Sequence, residues 1–183
     1  RSHWEKTCVG QTGLVLLMGE AGIGKTRLAA RFAVEVHDEG GIVLYGRTDA
    51  EALLPYQPFA EALDHLVDHA GAQFAEQLQQ ALSILSRPFP HLRRHADPAA
   101  EALDQDTFRY QIFEAVVTVI AHAGAMRPLL LVLDDLHWAD KLTLFLLRHV
   151  LRHADGARLL VLGTFRDVEV PREHPLTEMM SNL

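Results

Sequence analysis

Gly19-Glu20-Ala21-Gly22-Ile23-Gly24-Lys25-Thr26 reads G-x-x-x-x-G-K-[ST], and this stretch decides how the rest of the chain is read. Glycines let the backbone curl so that successive N–H groups point at a phosphate, an approach that bulky side chains would block. Lys25 is placed to reach the outer phosphates as a mobile point charge. The Thr26 hydroxyl is placed to ligate the Mg²⁺ that nucleotides carry. The positive end of a following helix adds to the attraction.

Such a loop is credible only between a strand and a helix. Leu14-Val15-Leu16-Leu17-Met18 is a short apolar run of the kind expected for a strand buried on both faces. After the loop, Leu28, Ala29, Phe32, Ala33 and Val36 follow helical spacing to about Asp38, and Gly40-Gly41 ends the helix.

The remaining punctuation repeats the pattern of strand then helix. Ile42-Val43-Leu44-Tyr45 predicts a second strand, followed by a loop over 47–57. Pro58 suits the first turn of a helix carrying Phe59, Leu63, Leu66 and Val67 on one face. Phe74, Leu78, Leu82 and Leu85 predict one further helix. Pro88, Pro90 and Pro98 mark 86–98 as a connector, in which His91, Arg93, Arg94 and His95 read as a solvated run. A long helix is expected from about Leu103 to His122, with Phe108, Ile112, Val116, Val119 and Ile120 inward. Leu129–Leu133 is a third apolar strand. Asp140 is a plausible N-cap for a helix over 141–153, Asp155-Gly156 reads as a turn, and Leu159–Leu162 is a fourth strand. Alternating strands and helices imply a mostly parallel α/β sheet, with the helices of 58–98 as an inserted layer.

Composition narrows the class. With 183 residues, 49% hydrophobic and 22% charged, the chain suits one globular domain, 1–183, with a sizeable core. A net charge of −7 and no Lys/Arg cluster argue against a nonspecific nucleic-acid surface. The single cysteine, Cys8, excludes an internal disulfide framework and fits a reducing cytoplasmic setting. No apolar run approaches a membrane span. The chain opens at Arg1 and closes in a predicted helix, Pro175–Leu183, so a fragment of a larger multidomain protein is expected.

Two further segments bear on chemistry. Asp134 ends the third strand, at the carboxyl edge where open α/β sheets bind ligands, and such a carboxylate can hold Mg²⁺ through water. Asp135 points differently and is a candidate to polarise an attacking water. The plain alternative for either is a turn or N-cap aspartate. Thr164 and Arg166 follow the fourth strand two residues apart, so in an extended segment they share a face and either is a candidate to sense a γ-phosphate. The alternative for Arg166 is a surface pair with Asp167 or Glu169. His65/His69, His91/His95 and His149/His153 are each four apart, but none carries the Glu of H-E-x-x-H, so metal ligation is not favoured. His137, just after the acidic pair, is the histidine expected near a nucleotide.

Four segments together resemble one family. Gly19 to Leu28 resembles the P-loop of STAND-class ATPases, and most closely that of the large ATP-binding LuxR-type regulators and of the ATPase modules fused to bacterial nucleotide cyclases. Leu131-Val132-Leu133-Asp134-Asp135-Leu136-His137-Trp138-Ala139-Asp140 is similar to that family's Walker B segment, and Leu54–Leu63 to its segment after the second strand. Leu162-Gly163-Thr164-Phe165-Arg166 resembles its sensor strand. Residues 1–12 lack the upstream Gly-Arg-x-x-Glu segment that helps hold adenine, and Lys141 stands where a proline or small residue is common.

The resemblance implies an α/β P-loop NTPase of the additional-strand, AAA-like type, with the sensor strand between the P-loop and Walker B strands. It implies ATP/ADP and Mg²⁺ as cofactors, with Gly19, Glu20, Ala21, Gly22, Ile23, Gly24, Lys25, Thr26 and Arg27 binding nucleotide and Thr26 and Asp134 on the metal side. It supports Lys25, Asp135 as the activating acid and Arg166 as γ-phosphate sensor as catalytic residues. The activity implied is slow ATP hydrolysis in a conformational switch of a bacterial transcriptional or signalling regulator. A AAA-type motor, using Arg127, Arg148 or Arg152 on a neighbour's nucleotide, is the alternative, and a binding module without turnover is another. A small-molecule kinase would need an Arg-rich lid, which 86–98 does not resemble. Expected partners are nucleotide and other domains of the parent protein, with ATP-dependent self-association left open and no direct nucleic-acid or membrane contact.

Overall fold

The computed structural model describes residues 1–51, 54–95, 104–154, 156–170 and 174–181. Its strands are β1 (Gly13–Met18), β2 (Ile42–Arg47), β3 (Leu129–Asp134) and β4 (Leu159–Phe165). Its helices are α1 (Ser2–Cys8), α2 (Lys25–Asp38), α3 (Gln57–Ala70), α4 (Ala72–Gln77), α5 (Gln79–Leu85), α6 (Gln105–Met126), α7 (Lys141–His153) and α8 (Pro175–Ser181). Among the described residues, no helix is long and apolar enough to cross a membrane.

The strands form one parallel sheet in the order β1-β4-β3-β2. β4, the expected sensor strand, therefore lies between β1 and β3, the additional-strand arrangement. Parallel strands place all four carboxyl ends on one edge. The register pairs Met18 with Phe165 and Arg47 with Asp134, so these strand ends emerge side by side.

Alternation along the strands sorts side chains to two faces. Leu130, Val132, Leu160 and Leu162 pack with Trp4, Ala29 and Val36 beneath α1 and α2. Leu129, Leu131, Leu133, Leu159 and Val161 enter the larger core with residues of α3, α6 and α7. Burying each such leucine stabilises the fold by about 1.5–3 kcal/mol over leaving it exposed. β3 and β4 are buried along their whole length, which explains their near-continuous apolar sequence.

Caps fix the helix ends. Asp140 accepts from Leu142 N at 2.8 Å and Thr143 N at 3.0 Å, so the predicted N-cap of α7 is in place. Asp104 caps α6 in the same way, through Asp106 N and Thr107 N. Pro58 stands in the first turn of α3. Gly40 and Gly41 N–H groups return to His37 O and Val36 O and close α2.

The structure departs from the sequence reading at several points. Residues 1–12 are mixed in sequence and carry only weak signals, yet α1 forms there, held by Trp4, which is 5% exposed and whose Nε1 donates to Glu39 Oε2 at 3.0 Å. The single helix expected through Phe74 and Leu85 is two, broken at Leu78 (φ −110°, ψ 14°), and Phe74, Leu78 and Leu82 are all buried. β2 and β4 run past their apolar cores to Arg47 and Phe165. In the run His91–His95 the side chains of His91, Arg93 and Arg94 are exposed as expected, but the backbone forms a 3-10 turn anchored by buried Leu92, and Arg94 bridges Asp64 at 2.8 Å and Asp68 at 2.5 Å on α3. α6 extends to Met126, beyond His122. The expected start at Leu103, the last residues of the 86–98 connector, Asp155 and the end of the last helix at Leu183 lie outside the described residues.

Candidate functional site

The phosphate loop occupies Gly19–Gly24, between the end of β1 and the start of α2. Gly22 (φ 77°) and Gly24 (φ 101°) adopt left-handed backbone, which side chains disfavour. A Cβ at either would meet nothing within 4 Å, so the loop's open side is free for an anion. Lys25 Nζ donates to Gly19 O and Glu20 O, both at 2.8 Å, and so lies across the loop itself. An incoming phosphate would compete with these two neutral carbonyls for the ammonium, and a charged acceptor is the stronger. The residues fit a phosphate. Glu20, Ala21, Ile23 and Arg27 complete the loop and first turn, with Ile23 exposed.

Asp134 is the centre of the site. Its carboxylate is 3% exposed and accepts from Thr26 Oγ1 at 3.1 and 3.2 Å, from Tyr45 Oη at 3.1 Å and from Thr164 Oγ1 at 2.5 Å. Three hydroxyls satisfy a buried carboxylate without a cation. The pairing of Thr26 with Asp134 joins the two side chains expected on the metal side, and an oxygen set of this kind suits Mg²⁺. Burial first, then the Asp134 carboxylate, pushes the Tyr45 phenol up to about 12.

The turn after β3 is clamped. Asp135 holds left-handed backbone at φ 59°. Its N–H donates to Thr164 Oγ1 at 3.0 Å, and Thr48 donates from N to Asp134 O and from Oγ1 to both Asp134 O and Asp135 O. This aims the Asp135 side chain away from Asp134. Its Oδ2 pairs with Arg47 Nη2 at 3.2 Å, and its Oδ1 stands 3.9 Å from His137 Nε2. Arg166 Nη1 pairs with Glu169 Oε1 at 2.8 Å.

His137 is wholly buried at its side chain and lies 3.1 Å, Nε2 to Oε2, from Glu169. The approach is not in line for a hydrogen bond, and both ring nitrogens and Glu169 Oε2 end without a hydrogen-bond partner among the described residues. Burial, above all, lowers the His137 pKa, opposed by Glu169 and Asp135 and assisted by Arg166 and Lys25. His65 and His69 stack, as do His149 and His153, and His149 pairs with Glu114. Among the described residues, no three His, Cys, Asp or Glu side chains form a metal-binding group.

The parallel sheet thus brings Lys25, Thr26, Asp134, Asp135 and Arg166 to one edge. Sequence reasoning missed Tyr45, Arg47 and Thr48, because only strand order places the end of β2 against Asp134.

The AAA ATPase domain family matches residues 1–162. The chain belongs to that family. AAA ATPase membership implies nucleotide binding, and the site geometry accords with it. No curated protein matches the chain. Among solved structures the AAA ATPase domain is similar to a chain of Drosophila ORC bound to DNA, at 15% identity and a TM-score of 0.41, covering 98% of this chain and 82% of that one. It is also similar to a chain of Drosophila ORC bound to GC-rich DNA and Cdc6, at 15% identity and a TM-score of 0.40, covering 98% and 53%.

Proposed function

We propose that this AAA ATPase domain binds ATP with Mg²⁺ and hydrolyses it slowly, as the switch of a bacterial signalling or transcriptional regulator. The observation that carries the reading is the junction of Thr26 with the buried Asp134 carboxylate, directly below the open phosphate loop. Gly19 to Arg27 would cradle the phosphates, and Lys25 would leave the loop carbonyls for them. Thr26 and Asp134 would hold Mg²⁺, which when bound neutralises charge developing on the phosphate oxygens.

Asp135 would take a proton from the attacking water, and Arg166 would contact the γ-phosphate. Arg166 leaves β4 beside Gly19, because Phe165 pairs with Met18 in register. The switch reading over the motor reading is supported by the resting partners: Asp135 is held by Arg47 and Arg166 by Glu169. The four segments shared with LuxR-type regulators support it too. The domain's place in a larger protein and a cytoplasmic location belong to the same proposal.

Calorimetric titration with ATP, ADP and GTP in Mg²⁺, alongside a phosphate-release assay, tests it. Adenine-nucleotide binding lost in Lys25→Ala, with slow turnover lost in Asp135→Asn, is expected. Lys25→Ala binding as tightly as the parent would remove the phosphate-loop assignment. Brisk turnover that rises with protein concentration would favour an assembling motor.

A further inference from the structure

The site description leaves one buried group without a use. His137 sits in the interior with two carboxylates facing it and no hydrogen bond to either ring nitrogen among the described residues. Buried polar groups are paired as a rule, and an unpaired one calls for an explanation.

Glu169 supplies the other half of the observation. Its two oxygens face different partners: Oε1 holds Arg166 at 2.8 Å, and Oε2 stands 3.1 Å from His137 Nε2. One carboxylate is therefore wedged between the arginine that emerges beside the phosphate loop and a buried imidazole. When Arg166 turns to a phosphate, the carboxylate loses the one arginine or lysine paired with it among the described residues. The nearest group able to replace it is His137, and only in the protonated form.

We propose that His137 and Glu169 are positioning residues for the sensor arginine: Glu169 holds Arg166 off the phosphate site when no triphosphate is bound, and His137 takes over the carboxylate, gaining a proton from solvent, when Arg166 moves to the γ-phosphate. The inference rests on the reading of Arg166 as the γ-phosphate contact. It makes triphosphate binding and proton uptake one event, and it gives the site a means of telling ATP from ADP.

The direction follows from the charged groups that act most strongly on the ring. Burial keeps the resting imidazole neutral; Arg166, beyond Glu169, and Lys25, from the phosphate loop, add to that. Glu169 and Asp135 favour the charged ring. His174 meets the His137 carbonyl oxygen, 3.2 Å from its own Nε2. Transfer of Arg166 from Glu169 to a phosphate removes one opposing charge and uncovers one supporting charge. Both changes raise proton affinity, so a proton is taken up on binding and ATP affinity falls as pH rises through the bound-state titration.

The test is calorimetric binding of Mg-ATP and Mg-ADP near pH 7.5 in two buffers of different ionisation enthalpy, HEPES and Tris, which reads protons exchanged per nucleotide. The parent protein takes up a substantial fraction of a proton with ATP and almost none with ADP. His137→Gln abolishes the uptake. Glu169→Gln also abolishes it and, having released Arg166 in advance, binds ATP several-fold tighter with ADP affinity unchanged, whereas a merely structural role would weaken both. Glu169→Asp restores the uptake.

Equal proton exchange with ATP and ADP, or uptake that survives in Glu169→Gln, overturns the proposal while leaving ATP binding intact. Arg166→Ala serves as the control for the underlying reading. If that variant binds ATP as tightly as the parent, or the parent binds no ATP, the role of Arg166 fails and this proposal fails with it. Should His137→Gln not fold, the part-exposed Glu169 variants carry the same decision.

Discussion

Gly46→Ala is the substitution with the most definite physical consequence. Gly46 lies in β2 between Tyr45 and Arg47, with α3 crossing directly over it. A Cβ built there stands 1.9 Å from Pro58 O, 2.5 Å from Pro58 C and 2.7 Å from Pro58 Cα. Normal contact begins near 3.5 Å, so relief needs a shift of about 1.5 Å. The obstructing atoms are main chain in the first turn of a helix, so no rotamer change relieves them. Overpacking against side chains costs about 1–3 kcal/mol, and a rigid backbone places this case at or above the upper end. The entropy that alanine removes from the unfolded chain offsets only about 0.4–1 kcal/mol.

The net loss is about 2–3 kcal/mol, or a Tm lower by about 5–10 °C for a domain of this size. Scanning calorimetry of the purified variant reads it directly. A Tm within about 2 °C of the parent would mean that α3 is not seated on β2 at this distance, and the packing argument would fail. The same variant bears on the site, since Tyr45 and Arg47 flank the displaced residue and contact Asp134 and Asp135.

Other expectations are as direct. Tyr45→Phe removes the hydrogen bond to Asp134 and costs about 1 kcal/mol, read by urea unfolding at neutral pH. The phenol is pushed up to about 12 in the folded protein against about 10 unfolded. The folded state therefore binds the proton more tightly, and this stability is present below pH 10 and lost as pH rises towards 12. The parent loses stability over that window more steeply than Tyr45→Phe; parallel curves would contradict the assignment. Trp4→Ala removes a buried ring set edge-on to Phe32, and urea unfolding is expected to show a loss of about 3–5 kcal/mol. A loss under about 1 kcal/mol would mean that α1 is not part of the core. Arg94→Ala breaks an exposed ion-pair cluster, so its expected effect in the same assay is below about 1 kcal/mol.

Much of the architecture was legible because its signals are local. Leu129–Leu133 is apolar at every position, as a strand covered on both faces must be, and its burial is complete. Asp140 and Gly40-Gly41 mark helix ends through hydrogen bonds to residues a few positions away. Local signals fail where polar or small residues take their conformation from a distant neighbour. Arg47 extends β2 because Asp134 of β3 lies beside it, and Thr164 extends β4 because Leu17 of β1 does, not because of any apolar pattern. Leu78 breaks a run of ideal helical spacing into α4 and α5, while Phe74 before it and Leu82 after it both stay in the core.

The same division runs through the candidate site. The sequence alone determined the phosphate loop, since its backbone conformation depends on glycines and a lysine at fixed spacing, and it determined that Asp134 stands at a strand's carboxyl end. Tertiary structure decided what those groups touch. Strand order set β4 beside both β1 and β3, and register set Tyr45, Arg47 and Thr48 against the acidic pair. It also enclosed His137 with Glu169, whereas the pair of Arg166 with Glu169, three positions apart, is local and was one of the two readings the sequence offered. Contacts between residues 30 to 108 positions apart carry no short-range pattern in the chain. They exist only once the sheet has brought separate strands to one edge.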